Sequence, residues 1–173
     1  VIHTTADFDY LRTLTFSPGA VAKGIAALRE GATILTDTQM ARSGINKAAL
    51  AKVGGEALCF MSDPDVAQAA KEKGTTRATA CMDKAAALGG NLIIAVGNAP
   101  TALVRLHQLM EEGKIAPRLI IGVPVGFVNV VESKELILSS SVPFIVARGR
   151  KGGSNVAAAI CNALLYLATG RAL

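Results

Sequence analysis

A chain of 173 residues with a hydrophobic share of 51% can fill one sizeable core, which excludes a disordered or tail-like protein. The net charge of +5 is spread along the chain, with aromatics at 4% and no Trp, a composition poor for stacking nucleobases but sufficient for a small anionic ligand. Cys59, Cys81 and Cys161 are scattered and form no Cys-x-x-Cys pair. With only His3 and His107 beside them, no metal-ligand spacing is present.

In chain order, the sequence opens on Val1-Ile2-His3 with no capped element before it, followed by the polar, acid-containing stretch Thr4-Thr5-Ala6-Asp7-Phe8-Asp9. An imidazole can give or take a proton near neutrality, although a lone histidine near a terminus is more often simply exposed. Ser17-Pro18 predicts an N-cap and first-turn proline for a helix running to Gly31. Residues 32–37, ATILTD, read as a buried strand leading into Asp37-Thr38-Gln39-Met40. A second strand is predicted at 57–61. Asp63-Pro64 then starts a helix that stops at Lys71-Glu72-Lys73-Gly74, and Thr75 or Thr76 caps another ending at Gly89-Gly90.

The most apolar strand, 92–96, leads into GNAPTAL (97–103), where Pro100 opens a helix that closes at Gly113. Asn98 and Thr101 suit either capping or a ligand contact. His107, in the middle of that helix, reads as an ordinary surface or packing residue. A strand at 119–123 runs into GVPVGF (122–127), whose glycines and proline imply a fixed backbone path. A short helix follows at 132–139, then a strand at 144–147. The loop GRKGGS (149–154) comes next, with adjacent glycines, two cations and the N–H groups of a helix starting at Ser154, a suitable set for an anion. The same string also suits a glycine turn carrying solvated cations. The run 156–168 is interrupted by Cys161-Asn162 and falls short of the roughly 20 residues of a bilayer span. No charged-then-apolar leader opens the chain, so a cytoplasmic protein with no membrane partner is expected.

Alternating strands and helices predict an α/β fold: one domain, 1–173, with a mainly parallel sheet flanked by helices in a three-layer, Rossmann-like arrangement. In such sheets ligands bind beyond the carboxyl ends of the strands, where the four unusual loops fall. Neither a GxGxxG fingerprint nor a GxxxxGK[ST] loop is present, which disfavours dinucleotides, nucleoside triphosphates and S-adenosylmethionine.

Several strings occur in order along nearly the whole chain: Ile2-His3-Thr4, residues 31–37 with Thr38-Gln39-Met40 and Gly44-Ile45, Thr76-Arg77, GNAPTAL, GVPVGF with Glu132-Ser133-Lys134, and GRKGGS. Together they resemble the precorrin-8X methylmutase (precorrin isomerase) family of cobalamin biosynthesis. The resemblance implies an intramolecular methyl migration from C-11 to C-12 of a corrin macrocycle, without a dissociable cofactor. Precorrin-8X would give hydrogenobyrinic acid, and the cobalt-containing analogue cobyrinic acid. It implies His3 as the catalytic residue and a homodimer, while the spread of basic residues and the few aromatics already argue against a nucleic-acid partner. Thr38, Met40, Arg77, Asn98, Thr101, Lys134, Lys151 and Ser154 are the residues expected around the carboxylate-rich substrate. Family members carry a further N-terminal segment before Ile-His-Thr that helps enclose the substrate, and the present sequence starts after it. Two rival readings are a non-catalytic tetrapyrrole-binding protein and an S-adenosylmethionine-dependent methyltransferase.

Overall fold

The computed structural model describes residues 1–170. Six strands form one sheet: β1 (Leu14–Phe16), β2 (Thr33–Thr36), β3 (Glu56–Leu58), β4 (Leu92–Val96), β5 (Leu119–Gly122) and β6 (Phe144–Ala147). The helices are α1 (Ile2–Thr5), α2 (Tyr10–Thr13), α3 (Ala20–Arg29), α4 (Gln39–Gly44), α5 (Lys47–Lys52), α6 (Pro64–Glu72), α7 (Arg77–Ala86), α8 (Pro100–Glu111), α9 (Val130–Leu138) and α10 (Ser154–Ala168). None among the described residues is long and apolar enough to cross a membrane.

The strand order is β1-β6-β5-β4-β2-β3, parallel throughout except for the antiparallel β1–β6 pair at one edge. The predicted α/β sheet is therefore present, in three layers. Successive side chains of a strand face opposite ways, so each central strand supplies two cores. Ile34, Ile93, Ala95, Leu119, Ile121 and Ile145 pack with Leu28 of α3 and Val156, Ile160 and Leu164 of α10. Leu92, Ile94, Val96, Ile120 and Val146 pack on the other face with Met82 of α7, Leu103 and Leu106 of α8, and Ile137 of α9. A strand buried on both faces must be apolar at every position, which is why β4 reads as LIIAV.

The strands at 92–96 and 144–147 fall where the sequence places them, and β2 and β5 lie inside their predicted spans. The other departures have local causes. β1, three residues long and at an edge, carries no apolar run and was not anticipated. Ser17 is not a helix cap. Its backbone N–H and Oγ are both taken by Phe144, whose carbonyl accepts from the first and whose N–H donates to the second. Pro18-Gly19 instead makes a turn with Gly19 at φ 73°, and α3 starts at Ala20. The second strand is Glu56–Leu58, earlier than 57–61, and Phe60 turns out of it to donate no ladder bond, its carbonyl accepting from Asp63 N–H. α9 begins at Val130, ahead of the predicted Glu132, behind Asn129 in the left-handed region. Of the two threonines before α7, Thr76 is the cap, its Oγ1 accepting from Thr79 N–H at 3.1 Å. Asp63 precedes α6 as read, but its carboxylate meets the Lys84 ammonium at 2.7 Å rather than the helix.

Candidate active site at the carboxyl ends of the strands

The chain passes from β2 outward to β3 and returns to lay β4 on the opposite side of β2. The connections therefore diverge between β2 and β4, the switch point at which open α/β sheets leave a crevice. Asp37, the residue directly after β2, sits there fully buried. Its carboxylate accepts from the backbone N–H groups of Gly97 at 2.8 Å, Asn98 at 2.8 Å and Ala99 at 2.7 Å. Burial pushes its pKa above the ordinary carboxylate value, while the three N–H donors favour the ionised form and pull the other way. The GNAPTAL loop is thereby moulded around one side chain at the N-terminus of α8, where negative charge is also favoured by the helix dipole.

The neighbouring loops are joined by contacts that only glycine permits. Thr38 caps α4 by accepting from Ala41 N–H, and its hydroxyl shares a 2.7 Å hydrogen bond with Ser154 Oγ at the start of α10. Gly97 lies against Gly153 and Ser154 so closely that a Cβ would come within 2.7 Å of Ser154 Cα. Gly152 has less room still: a Cβ there would meet Val123 O at 2.0 Å. Gly153 N–H donates to Val123 O at 2.9 Å, and Gly126 N–H to Arg150 O at 3.2 Å. Four strand-end loops thus form one continuous backbone surface.

The structure joins Thr38 to Ser154 directly. It also brings Arg77 beside the GNAPTAL loop, because Thr76 Oγ1 lies 3.1 Å from Thr101 Oγ1. Arg77 is exposed and, among the described residues, its guanidinium has no hydrogen bond or ion pair, which leaves it open to a carboxylate. Asn98 is exposed at the loop tip, its backbone N–H held by Asp37, and Met40 is exposed in the first turn of α4.

Lys151 is already engaged. Its ammonium lies 2.6 Å from Asp7 and 3.3 Å from Asp9; its hydrogen bond holds the Asp7 carboxyl below the usual range, and the Arg12 guanidinium first, with Lys151 second, does the same for Asp9. Lys134 departs from the expectation of a direct substrate contact. It is wholly buried, and its Nζ donates to Gly149 O at 2.7 Å and Lys151 O at 2.9 Å. The amphipathic turn of α9 aims it inward beneath the GRKGGS loop. Burial lowers its pKa to about 8, against two carbonyl dipoles that favour the charged form.

His3 lies apart from this polar surface, exposed on α1. It lines an apolar cavity of about 500 Å³ with Ile2, Tyr10, Ile145, Ile160 and Leu164. The segment that follows it, carrying Asp7 and Asp9, is what reaches the GRKGGS loop through Lys151. Asp37 and Gly152 are the residues whose parts the sequence did not reveal. An acid directly following a buried strand is the signal available for Asp37.

Nearly the whole chain has known counterparts. The sequence model of the family described as Precorrin-8X methylmutase matches residues 1–167. The Cobalt-precorrin-8 methylmutase of Salmonella typhimurium is 53% identical over 169 residues, covering 96% of this chain and 78% of that protein. The Precorrin-8X methylmutase of Pseudomonas aeruginosa is 41% identical over 166 residues, covering 95% and 79%. Among solved structures, the precorrin-8X methyl mutase from Thermus thermophilus superposes with a TM-score of 0.89 at 41% identity, over 98% of this chain and 83% of that one.

Two predictions follow from the loop geometry. Gly152→Ala must displace the Val123 carbonyl or the loop itself, so urea unfolding should show a loss of about 2–3 kcal/mol, as for other overpacked sites. For Lys134, the unfolded chain holds its proton up to the ordinary lysine value of 10.5, whereas the folded chain releases it at about 8. Between these values the unfolded state binds more protons, so the cost of the buried charge, complete below about pH 8, is relieved as pH rises. Unfolding free energies measured from pH 7 to 10.5 should therefore climb for the parent relative to Lys134→Met, by about 2–3 kcal/mol. Parallel profiles would contradict the assignment.

Proposed function

This chain belongs to the precorrin-8X methylmutase family, and from that premise we propose that it catalyses the methyl shift from C-11 to C-12 of precorrin-8X, or of its cobalt-containing analogue, in cobalamin biosynthesis. The observation that carries this reading is the match of the family along residues 1–167, with 53% identity to a named cobalt-precorrin-8 methylmutase.

The migration is a 1,5-shift on a conjugated ring, limited by how readily the π-system reorganises. Giving a proton to a ring nitrogen, or taking one from it, alters that electron demand. His3 is the residue for this exchange. It stands exposed at the mouth of an apolar cavity, with a side chain suited to proton transfer near neutrality. Peripheral carboxylates of the macrocycle are held by Arg77 and by Lys151 once it exchanges Asp7 and Asp9 for substrate. Thr38, Asn98, Thr101 and Ser154 supply hydrogen bonds around them, and Met40 an apolar contact. Fixing a large ring in its reactive conformation supplies the remainder of the acceleration.

The protein acts as a homodimer in the cytoplasm. The dimer is supported by Phe8, Leu11, Phe16 and Leu167, large apolar side chains left exposed among the elements around the cavity and β1. The cytoplasmic setting is supported by three free, buried thiols.

His3→Ala should fold and retain the affinity for the corrin product, because the carboxylate contacts lie elsewhere. Its turnover of precorrin-8X should fall by roughly 10² to 10⁴-fold. Near-normal single-turnover rates in that variant would remove His3 from the mechanism. Sedimentation at micromolar concentration should give a species of about twice the 17.8 kDa chain; a monomer alone would refute the dimer.

A further inference from the structure

We infer that Lys134 is a positioning residue of the methylmutase site: its buried ammonium turns the backbone of the GRKGGS loop so that peptide N–H groups face a substrate carboxylate. The inference rests on the methylmutase reading for the identity of the ligand, and on the geometry of the loop for everything else.

The other lysines that form ion pairs, Lys73, Lys84, Lys114 and Lys151, each meet a carboxylate. Lys134, the largest of the wholly buried side chains, has no carboxylate within ion-pair distance among the described residues. Its Nζ is held by two carbonyl oxygens, those of Gly149 and Lys151. A methionine of similar length would fill the space without desolvating a charge, so packing alone gives no reason for an ammonium here.

The two hydrogen bonds have a directional consequence. In a trans peptide the C=O of one residue and the N–H of the next point in opposite directions, and no peptide among the described residues is cis. With the Gly149 and Lys151 carbonyls aimed at Lys134, the N–H groups of Arg150 and Gly152 point away from it. Neither has a hydrogen-bond partner among the described residues. The cation thus fixes alternate peptide units of one loop, leaving two donors aligned beside the exposed side chains of Arg150 and Lys151. Gly152, wedged against Val123 O, prevents the loop from turning over. Lys134 touches no substrate in this arrangement and acts through the loop.

The test compares the parent with Lys134→Met, Lys134→Gln and Lys134→Arg, reading KM, kcat, affinity for the corrin product by visible absorption, and amide hydrogen exchange of the 149–153 segment. Lys134→Met should raise KM and the product Kd by about tenfold or more, the worth of a charge-assisted hydrogen bond, with kcat changed by less than about threefold. Exchange should accelerate in 149–153 specifically, and Lys134→Arg, which keeps donors for both carbonyls, should recover part of the affinity. A role in folding alone would lower thermal stability without this split. Cooperatively folded Lys134→Met with parental KM, product Kd and loop exchange would overturn the inference. Should that variant fail to fold, Lys134→Gln, which keeps donors for one carbonyl, carries the same criteria. A parent enzyme that binds the corrin product but does not convert precorrin-8X would refute the methylmutase reading. The loop assignment would then still be decided by product Kd and exchange.

Discussion

One buried carboxylate sets the geometry on which the site depends. Asp37 is placed at the end of β2 by a strand buried between the two helical layers, and at the switch point by the order of β2 and β4. Leaving a charge there without partners would cost several kcal/mol, so the three N–H groups of Gly97, Asn98 and Ala99 are not optional. Fixing those three peptide units fixes the entry of α8, and with it Thr101. The next residue, Thr38, transmits the same register to Ser154 and the entry of α10.

Lys134 is the counterpart of opposite sign. The two buried charges do not pair with each other. Asp37 is satisfied by backbone donors and Lys134 by backbone acceptors, so each orders a different strand-end loop. Between them the loops touch backbone to backbone, which requires glycine at 97 and 152 because a Cβ would collide with main-chain atoms. The effect is a surface whose N–H groups and hydroxyls are set before any ligand arrives. Preorganisation of this kind spares a carboxylate-rich ligand the cost of ordering its own site.

The parts legible in the sequence were those governed by local rules. β4, β5 and β6 announce themselves because burial on both faces forces continuous apolar runs, and GNAPTAL, GVPVGF and GRKGGS because glycine and proline cluster where the backbone must bend sharply. β1 escaped notice because its three residues are specified by pairing with β6, not by their own pattern. Ser17-Pro18 misled because a cap signal and a turn signal use the same residues, and contact with Phe144 decides between them. The work of Asp37 depends on which strand lies beside β2, and the inward aim of Lys134 on how α9 packs. Neither is a property of the neighbouring sequence. His3 carried no chemical signal of its own beyond its residue type, and its assignment came through the resemblance of the strings around it.

The same energetics separate the rigid parts of the site from the adjustable one. Asp37 and Lys134 are desolvated, so releasing either from its partners would strand a charge in a medium that solvates it poorly. The contacts of Lys151 with Asp7 and Asp9 are of another kind, partly exposed and screened by solvent and salt, and such pairs contribute little to stability. An incoming carboxylate can therefore replace Asp7 or Asp9 on Lys151 far more readily than it can disturb the loop backbone beneath. Because those acids follow His3 along the chain, these pairs tie the segment after α1 to the GRKGGS loop, while Val1 and Ile2 pack against the main core. The fold thus sets a loop backbone fixed by desolvated charges beside a segment whose ionic contacts with Lys151 are exchangeable.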